Sequence, residues 1–318
     1  MELKQLRSLV AIADYGSFSA AAKALDTVQS NVSAHIARLE SHLGVILIDR
    51  ATGVLTDEGD MVLNRARRIL HEVEDIDADI QSLDGVTTGE CRIGTLGTTA
   101  RWLMPPLLSS LSRNHPGVLA TVVEGTTSSL LPRLATGELD AAIVHLPITD
   151  NTLDVTELFA EELYLLAHTK HELASRSSIS LEELSEFPIM LAPRGTAQRR
   201  MIDRAAANHG VALKAQAEID GVRLMTSLVF EGFGAAIIPA SAVPGWLTGE
   251  FVRIQVPGLP QRVVGWVQRQ RPHPNRATLA VRQSAIEAVK RHGVKQPGVS
   301  LEIGPPISKG SRQPLNLK

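Results

Sequence analysis

In the stretch TVQSNVSAHIARLE, residues 27–40, Gln29, Ser30, Asn31, Ser33, His35 and Arg38 share one side of a helical pattern. Val28, Val32, Ile36 and Leu39 mark the buried side. Exposed helix faces favour Glu, Lys, Gln and Arg, whereas Ser and Asn compete with the backbone for hydrogen bonds and weaken the helix. What short amides and hydroxyls gain is fit to a base edge: Gln and Asn make paired bonds to adenine, and Ser bonds several edges. The plainer alternative is a solvated face of a structural helix.

A second constellation lies further along. Thr98 and Thr99 follow the strand-like RIGTLG, with Arg101 close behind. Thr126 and Thr127 follow VVEG, and Arg194, Gly195, Thr196 and Gln198 follow PIMLAP. Each set falls where a strand hands over to a helix, whose first N–H groups lack internal partners and attract anions. Converging, three hydroxyl-rich helix starts and a guanidinium make a receptor for a small anion, above all a carboxylate. A single threonine there is better explained as an ordinary cap, so the reading rests on the set.

These residues need elements to hold them. Leu3, Leu6, Val10 and Ala13 space a first helix that closes at Gly16, and Ser17 or Ser19 caps a second helix burying Phe18, Ala21, Ala22 and Leu25. With the quoted helix, which ends near Gly44, they form a helix-turn-helix. VILIDR and ATGVLT read as a small two-stranded wing with Arg50 near its tip. Between Thr56 and Gly85, Val62, Ala66, Ile69, Val73, Ile76, Ile80 and Leu83 alternate steps of four and three. So narrow a stripe favours pairing with a copy of itself over lying on its own domain. From Glu90 onward apolar strands alternate with helices, which predicts two α/β lobes with largely parallel sheets, whose ligands sit beyond the strands' carboxyl ends. The Gly-, Pro-, Ser- and Lys-rich residues 293–318 read as a disordered tail.

The chain of 318 residues is 44% hydrophobic and 21% charged, enough for more than one core. It has no run of about 20 apolar residues to span a bilayer, and its start is not a signal peptide. With Cys91 alone, no intrachain disulfide can form, and a cytoplasmic home is expected. No metal set, cofactor motif or nucleophile–base pair points to an enzyme: His168, His171 and Glu172 read as a solvated loop, and His145 as a structural strand-end residue. The net charge is -2, and residues 1–60 hold five basic against eight acidic side chains, so DNA binding there must rest on placement of groups rather than bulk charge.

The residues GSFSAAAKALDTVQSNVSAHIARLESHLGVILIDR, followed by Leu55-Thr56 and Gly59, resemble the N-terminal signature of LysR-type transcriptional regulators. Pro116-Gly117-Val118, GELDAAI (137–143) and EGFGAAIIP (231–239) are similar to that family's effector domain, and the likeness runs to about residue 292. It implies an all-α winged helix-turn-helix over 1–59, a linker and dimerisation helix over 60–88, and over 89–292 an α/β two-lobed, periplasmic-binding-protein-like domain with an effector in its cleft. Double-stranded DNA, a small anionic effector and a homodimer or homotetramer are the implied partners, without a cofactor or a membrane. Three positions depart from the family pattern. Val28 stands where many members carry a capping Ser or Thr, leaving Thr27 or the preceding turn to cap. Ala34 replaces a long polar residue and Ile48 a Phe, which shifts positioning onto Ser33, His35, Arg38 and Arg50. Arg65, Arg67 and Arg68 read equally as phosphate contacts or as a solvated helix face. The rival reading is a two-lobed solute-binding protein with an added helical domain, disfavoured by the missing export signal.

Overall fold

In a computed structural model, residues 1–50, 52–81, 86–271 and 273–302 are described. The N-terminal head comprises α1 (Leu3–Tyr15), α2 (Phe18–Ala24) and α3 (Gln29–Leu43), and the linker follows as α4 (Asp57–Gln81). α1 stops at Gly16, whose φ of 75° is open to glycine. The Ser17 hydroxyl accepts the Ala20 N–H at 3.1 Å and starts α2. Leu6, Leu9 and Ile12 close over Ala21, Ala22, Val32, Ile36 and Leu39. The small alanines let α2 and α1 approach, as the sequence requires.

Among the described residues the wing is pared to one bridge, Ile48 to Leu55. The Glu40 carboxylate accepts the N–H groups of Leu47 at 2.9 Å and Ile48 at 3.3 Å, so a side chain binds the backbone where a longer ladder would run. Gly59 is fixed by space, because a Cβ there would stand 2.1 Å from the Leu47 carbonyl oxygen.

The linker stripe divides in two. Leu63 and Ala66, with Val62 at their edge, complete the head's own core. Further along, Ile69, Ile76 and Ile80 are exposed, the last two by 62% each. Leu83 and Gly85 lie outside the described residues.

The remaining chain forms two sheets. The first contains β1 (Thr88–Thr95), β2 (Gly117–Glu124), β3 (Ala141–His145), β4 (Leu153–Glu161), β10 (Arg262–Arg269) and β11 (Val299–Ser300), in the order β11-β4-β10-β3-β1-β2. The second contains β5 (Leu163–His168), β6 (Pro188–Leu191), β7 (Lys214–Glu218), β8 (Ala236–Pro239) and β9 (Phe251–Gln255), in the order β7-β6-β8-β5-β9. β1, β2 and β3 run parallel, as do β6, β7 and β8, while β10 and β5 are reversed against their neighbours. The chain crosses between lobes twice, from β4 into β5 and from β9 into β10. Helices α5 (Gly97–Asn114), α6 (Thr127–Ala135), α8 (Ala197–Asn208) and α9 (Val222–Phe230) follow β1, β2, β6 and β7, and α10 (Arg276–His292) packs on the first sheet. A short helix α7 (Leu181–Leu184) caps the second lobe.

The expected tail from 293 is corrected in its first part. Val299 and Ser300 pair with Glu161 and Ala160 of β4. Val299 and Leu301 pack against the first lobe's core, which holds this segment despite its loop-like composition. Residues 303–318 lie outside the described residues. The expected solvated loop is corrected at His168, which is buried as the last residue of β5 and faces Glu250 at 3.4 Å, while the His171 ring accepts the Leu173 N–H at 3.2 Å.

α4 is tied to the first lobe through a buried histidine. His71 Nε2 lies 3.0 Å from Asp140 and 3.7 Å from Asp75. Asp140 also accepts the Arg92 N–H at 2.7 Å, and Asp75 accepts the Asn275 amide at 2.6 Å. The hydrogen bond to Asp140 raises the His71 pKa above its ordinary 6.5, burial opposing it, while the Asp140 and Asp75 charges add to the rise and Arg92 subtracts. A raised folded pKa means that this docking is at full strength below pH 6.5 and is lost as pH climbs through the folded value. The melting temperature of the full chain is therefore expected to fall as pH rises above 6.5, and scanning calorimetry of His71→Gln should show that component missing.

Candidate DNA-reading face and effector cleft

On α3, Val32, Ile36 and Leu39 are buried, and Gln29, Ser30, Asn31 and Arg38 are exposed. Val28 does not join the stripe. It is the residue preceding the helix, in extended conformation and 59% exposed, because the helix begins one residue too late to turn it inward. No side chain caps α3. The Thr27 hydroxyl accepts the Asn31 amide at 3.0 Å, which orients Asn31 and takes Thr27 out of a capping role. The N–H groups of Gln29 and Ser30 stay open among the described residues, while that of Asn31 bonds the Val28 carbonyl at 3.0 Å.

Two of the expected contact residues are engaged inside the head. His35 Nδ1 lies 2.9 Å from the Ser8 hydroxyl, bracing α3 against α1, and Ser33 is half-buried beside it. Arg50 is pinned rather than free at a wing tip: it pairs with Glu40 at 3.0 Å and lies 5.7 Å over the Phe18 ring. On the linker, Arg67 pairs with Asp14, and the Arg68 side chain packs on Gly137 of the first lobe.

Between the lobes lies a cavity of about 530 Å³, the size of a small-molecule site. Thr98, Thr126, Thr127 and Thr196 all line it, so three strand-to-helix junctions do converge. Each of their hydroxyls already accepts a hydrogen bond from the protein. The Thr126 and Thr196 hydroxyls accept the Ser129 and Arg199 N–H groups at 3.3 Å and 3.2 Å, and Thr127 accepts the His145 N–H at 3.1 Å. Thr99 is corrected: it is fully buried and absent from the lining, because it points behind the start of α5. Arg194 is corrected too. It sits on the outside of the β6–α8 turn, 84% exposed and 3.6 Å from Glu218, away from the cavity. Arg101 reaches across to the Ser241 carbonyl instead.

The charges facing the cavity come from elsewhere in the chain: Arg262, Arg223, Glu124 and Asp220, with the His145 ring and Gln198 beside them. Arg262 opens β10, which the sequence marks only as an apolar strand. Arg223 follows Gly221 at the start of α9 and was legible only as one more surface arginine. Burial holds the His145 pKa down to about 3, helped by the Arg262 and Arg200 charges, so its imidazole is neutral at physiological pH. Neither Leu96 nor Gly221 supplies a capping side chain, and the starts of α5 and α9 both border the cavity.

The floor is a buried ion pair. Arg262 Nε donates to Glu161 at 2.9 Å, and its Nη2 donates to both Glu161 and the Thr98 hydroxyl. Glu161 is fully buried and also accepts the Ser241 hydroxyl at 2.6 Å. Removing one partner strands a charge, whereas replacing both with apolar groups costs far less. Arg262→Met is expected to destabilise the two-lobed domain by about 3–5 kcal/mol, and Arg262→Met with Glu161→Leu to recover most of it. Denaturant titration of the four proteins of that cycle measures the difference.

Residues 3–60 match the model of the bacterial regulatory helix-turn-helix protein, lysR family, and residues 84–290 match the LysR substrate binding domain. A probable hydrogen peroxide-inducible genes activator of Mycobacterium leprae is 32% identical over 246 residues, 75% of this chain and 78% of its own. CbnR complexed with its target DNA superposes with a TM-score of 0.70 at 22% identity, over 92% of this chain and all of that one. The effector binding domain of QuiR, in complex with shikimate, does so with a TM-score of 0.60 at 19% identity, over 64% of this chain and 99% of that domain. Both superpositions bear on the fold. With a helix-turn-helix match at one end and a substrate-binding match across most of the rest, the solute-binding alternative gives way: the chain belongs to the LysR family of bacterial transcriptional regulators.

Proposed function

We propose that α3 reads duplex DNA through Gln29, Ser30 and Asn31, and that a small anionic effector in the inter-lobe cleft controls it. The observation that carries the DNA half is the open start of α3. Its unpaired N–H groups suit a phosphate, and the exposed amides and hydroxyl beside them suit base edges. Ser33, His35 and Arg50 position this helix, the last two through their bonds to Ser8 and Glu40. Arg38 is the exposed cation placed for the phosphate backbone.

For the effector, support comes from the open starts of α5 and α9 and from Arg223, all facing one cavity. Four helix starts turned toward one space favour negative charge there. Shikimate, bound in the QuiR domain, is itself a small carboxylic acid. A cysteine-based peroxide response, suggested by the name of the mycobacterial relative, has poor support. Cys91 is the sole cysteine, fully buried, and burial raises its thiol pKa well above the ordinary range.

The DNA reading is tested by anisotropy titration across salt concentrations. Gln29→Ala and Asn31→Ala should each cost about 1–3 kcal/mol on a specific site with little loss on random duplex. Arg38→Ala should weaken both alike and flatten the salt slope by about one. Unaltered site preference in the first two variants would remove α3 as the reader.

The assembly is proposed to run through the exposed half of α4. Because Ile69 and Ile76 are already in solvent within one chain, Ile69→Asp with Ile76→Asp should leave the fold intact. Sedimentation should show the oligomer split and site-specific DNA binding gone with it.

A further inference from the structure

Glu124 ends β2 and reaches into the cleft from the first lobe, while Arg223 reaches in from the start of α9 in the second. The two form an ion pair across the opening, both side chains still partly in solvent. Glu124 does more than face a cation. Its carboxylate lies against Gly97, the first residue of α5, so closely that a Cβ on Gly97 would stand 2.4 Å from Glu124 Oε1. Leu96, preceding α5, supplies no capping group. A carboxylate therefore rests at an otherwise uncapped helix start, the place where the helix dipole and free N–H groups favour an anion.

The rest of the lining sharpens the point. The Thr126 and Thr196 hydroxyls donate within their own turns, to Ser129 and to the Pro193 carbonyl, and Arg262 is turned to Glu161. Beside the Thr98 and Thr127 O–H groups, what the cavity offers an anion is the start of α5, the start of α9 and Arg223. Glu124 occupies the first and holds the last.

We infer that Glu124 is a resident carboxylate that fills the effector's anion position and latches the lobes together through Arg223 until an effector displaces it. The inference rests on the anionic-effector reading and deepens it. Affinity is then set by competition: an incoming carboxylate must replace Glu124 at both contacts, which selects for ligands with further bonds to the cleft over simple anions. Displacement also frees the Glu124 side chain from the second lobe, so occupancy of the site and release of the latch are one event.

Two measurements on the full-length protein test this. Without ligand, amide hydrogen exchange at the starts of α5 and α9 should quicken in Glu124→Gln. It should quicken also in Gly97→Ala, where the new Cβ evicts the carboxylate but keeps its charge. With succinate and inorganic phosphate as probes in titration calorimetry, Glu124→Gln should bind about five- to tenfold more tightly than wild type, and Arg223→Gln more weakly. Unchanged exchange in both ligand-free variants overturns the inference. So does Glu124→Gln binding no tighter than wild type while Arg223→Gln loses affinity, an outcome that leaves the anionic effector standing. Failure of every protein to bind either probe overturns the anionic reading and the inference with it.

Discussion

The relation between the two lobes hangs on one buried charge pair. Glu161 is the last residue of β4 and Arg262 the first of β10, so each marks a point where the chain passes between lobes. Their contact joins the two crossings, and its outer bonds reach Ser241 on the second lobe and Thr98 on the first. A desolvated pair of this kind adds little net stability, but it tolerates only the geometry in which both charges are satisfied. The cleft above it inherits that geometry. The converging helix starts keep their spacing because the strands that deliver them are registered to a common fixed point.

Around that point, charge acts by position rather than by sum. The head carries more acid than base, yet α3 starts with unpaired N–H groups and no acidic residue in its first turn. The cleft likewise holds nearly balanced charges, but they are segregated: Arg262 and Glu161 are locked in the floor, and Arg223 and Glu124 meet at the mouth. Neutral His145 between them keeps an acceptor and a donor in the cavity without adding a charge.

What the sequence disclosed follows from how far each signal travels along the chain. The helices of the head and the strands of both lobes are written in local periodicity, and α1 to α3, β1, β3 and β6 stand where that periodicity puts them. β4, rich in acidic residues, and the short β9 and β11 have weak patterns and exist through pairing with distant partners. The site divides in the same way. Thr98, Thr126 and Thr196 could be found because helix starts are local features. Glu124, Arg223 and Arg262 could not, since only the register of strands far apart in sequence turns them into one space. Arg194 and Thr99 failed for a related reason: a residue at a turn faces inward or outward according to a rotation of about 100° per helical residue, and sequence adjacency does not fix which.

The division of the linker stripe makes α4 a lever arm. Its first turns are embedded in the head's core, so head and helix move as one body. At 1.5 Å per residue, the 25 residues of α4 span about 38 Å. His71 and Asp140 join the helix to the first lobe a little past its middle, about 21 Å from its start, so a tilt of about 5° there sweeps the head end of α4 through roughly 2 Å. A rotation at the His71 contact too small to alter the packing of the lobes is thus carried, enlarged, to the first turns of α4, which the head shares as its own core.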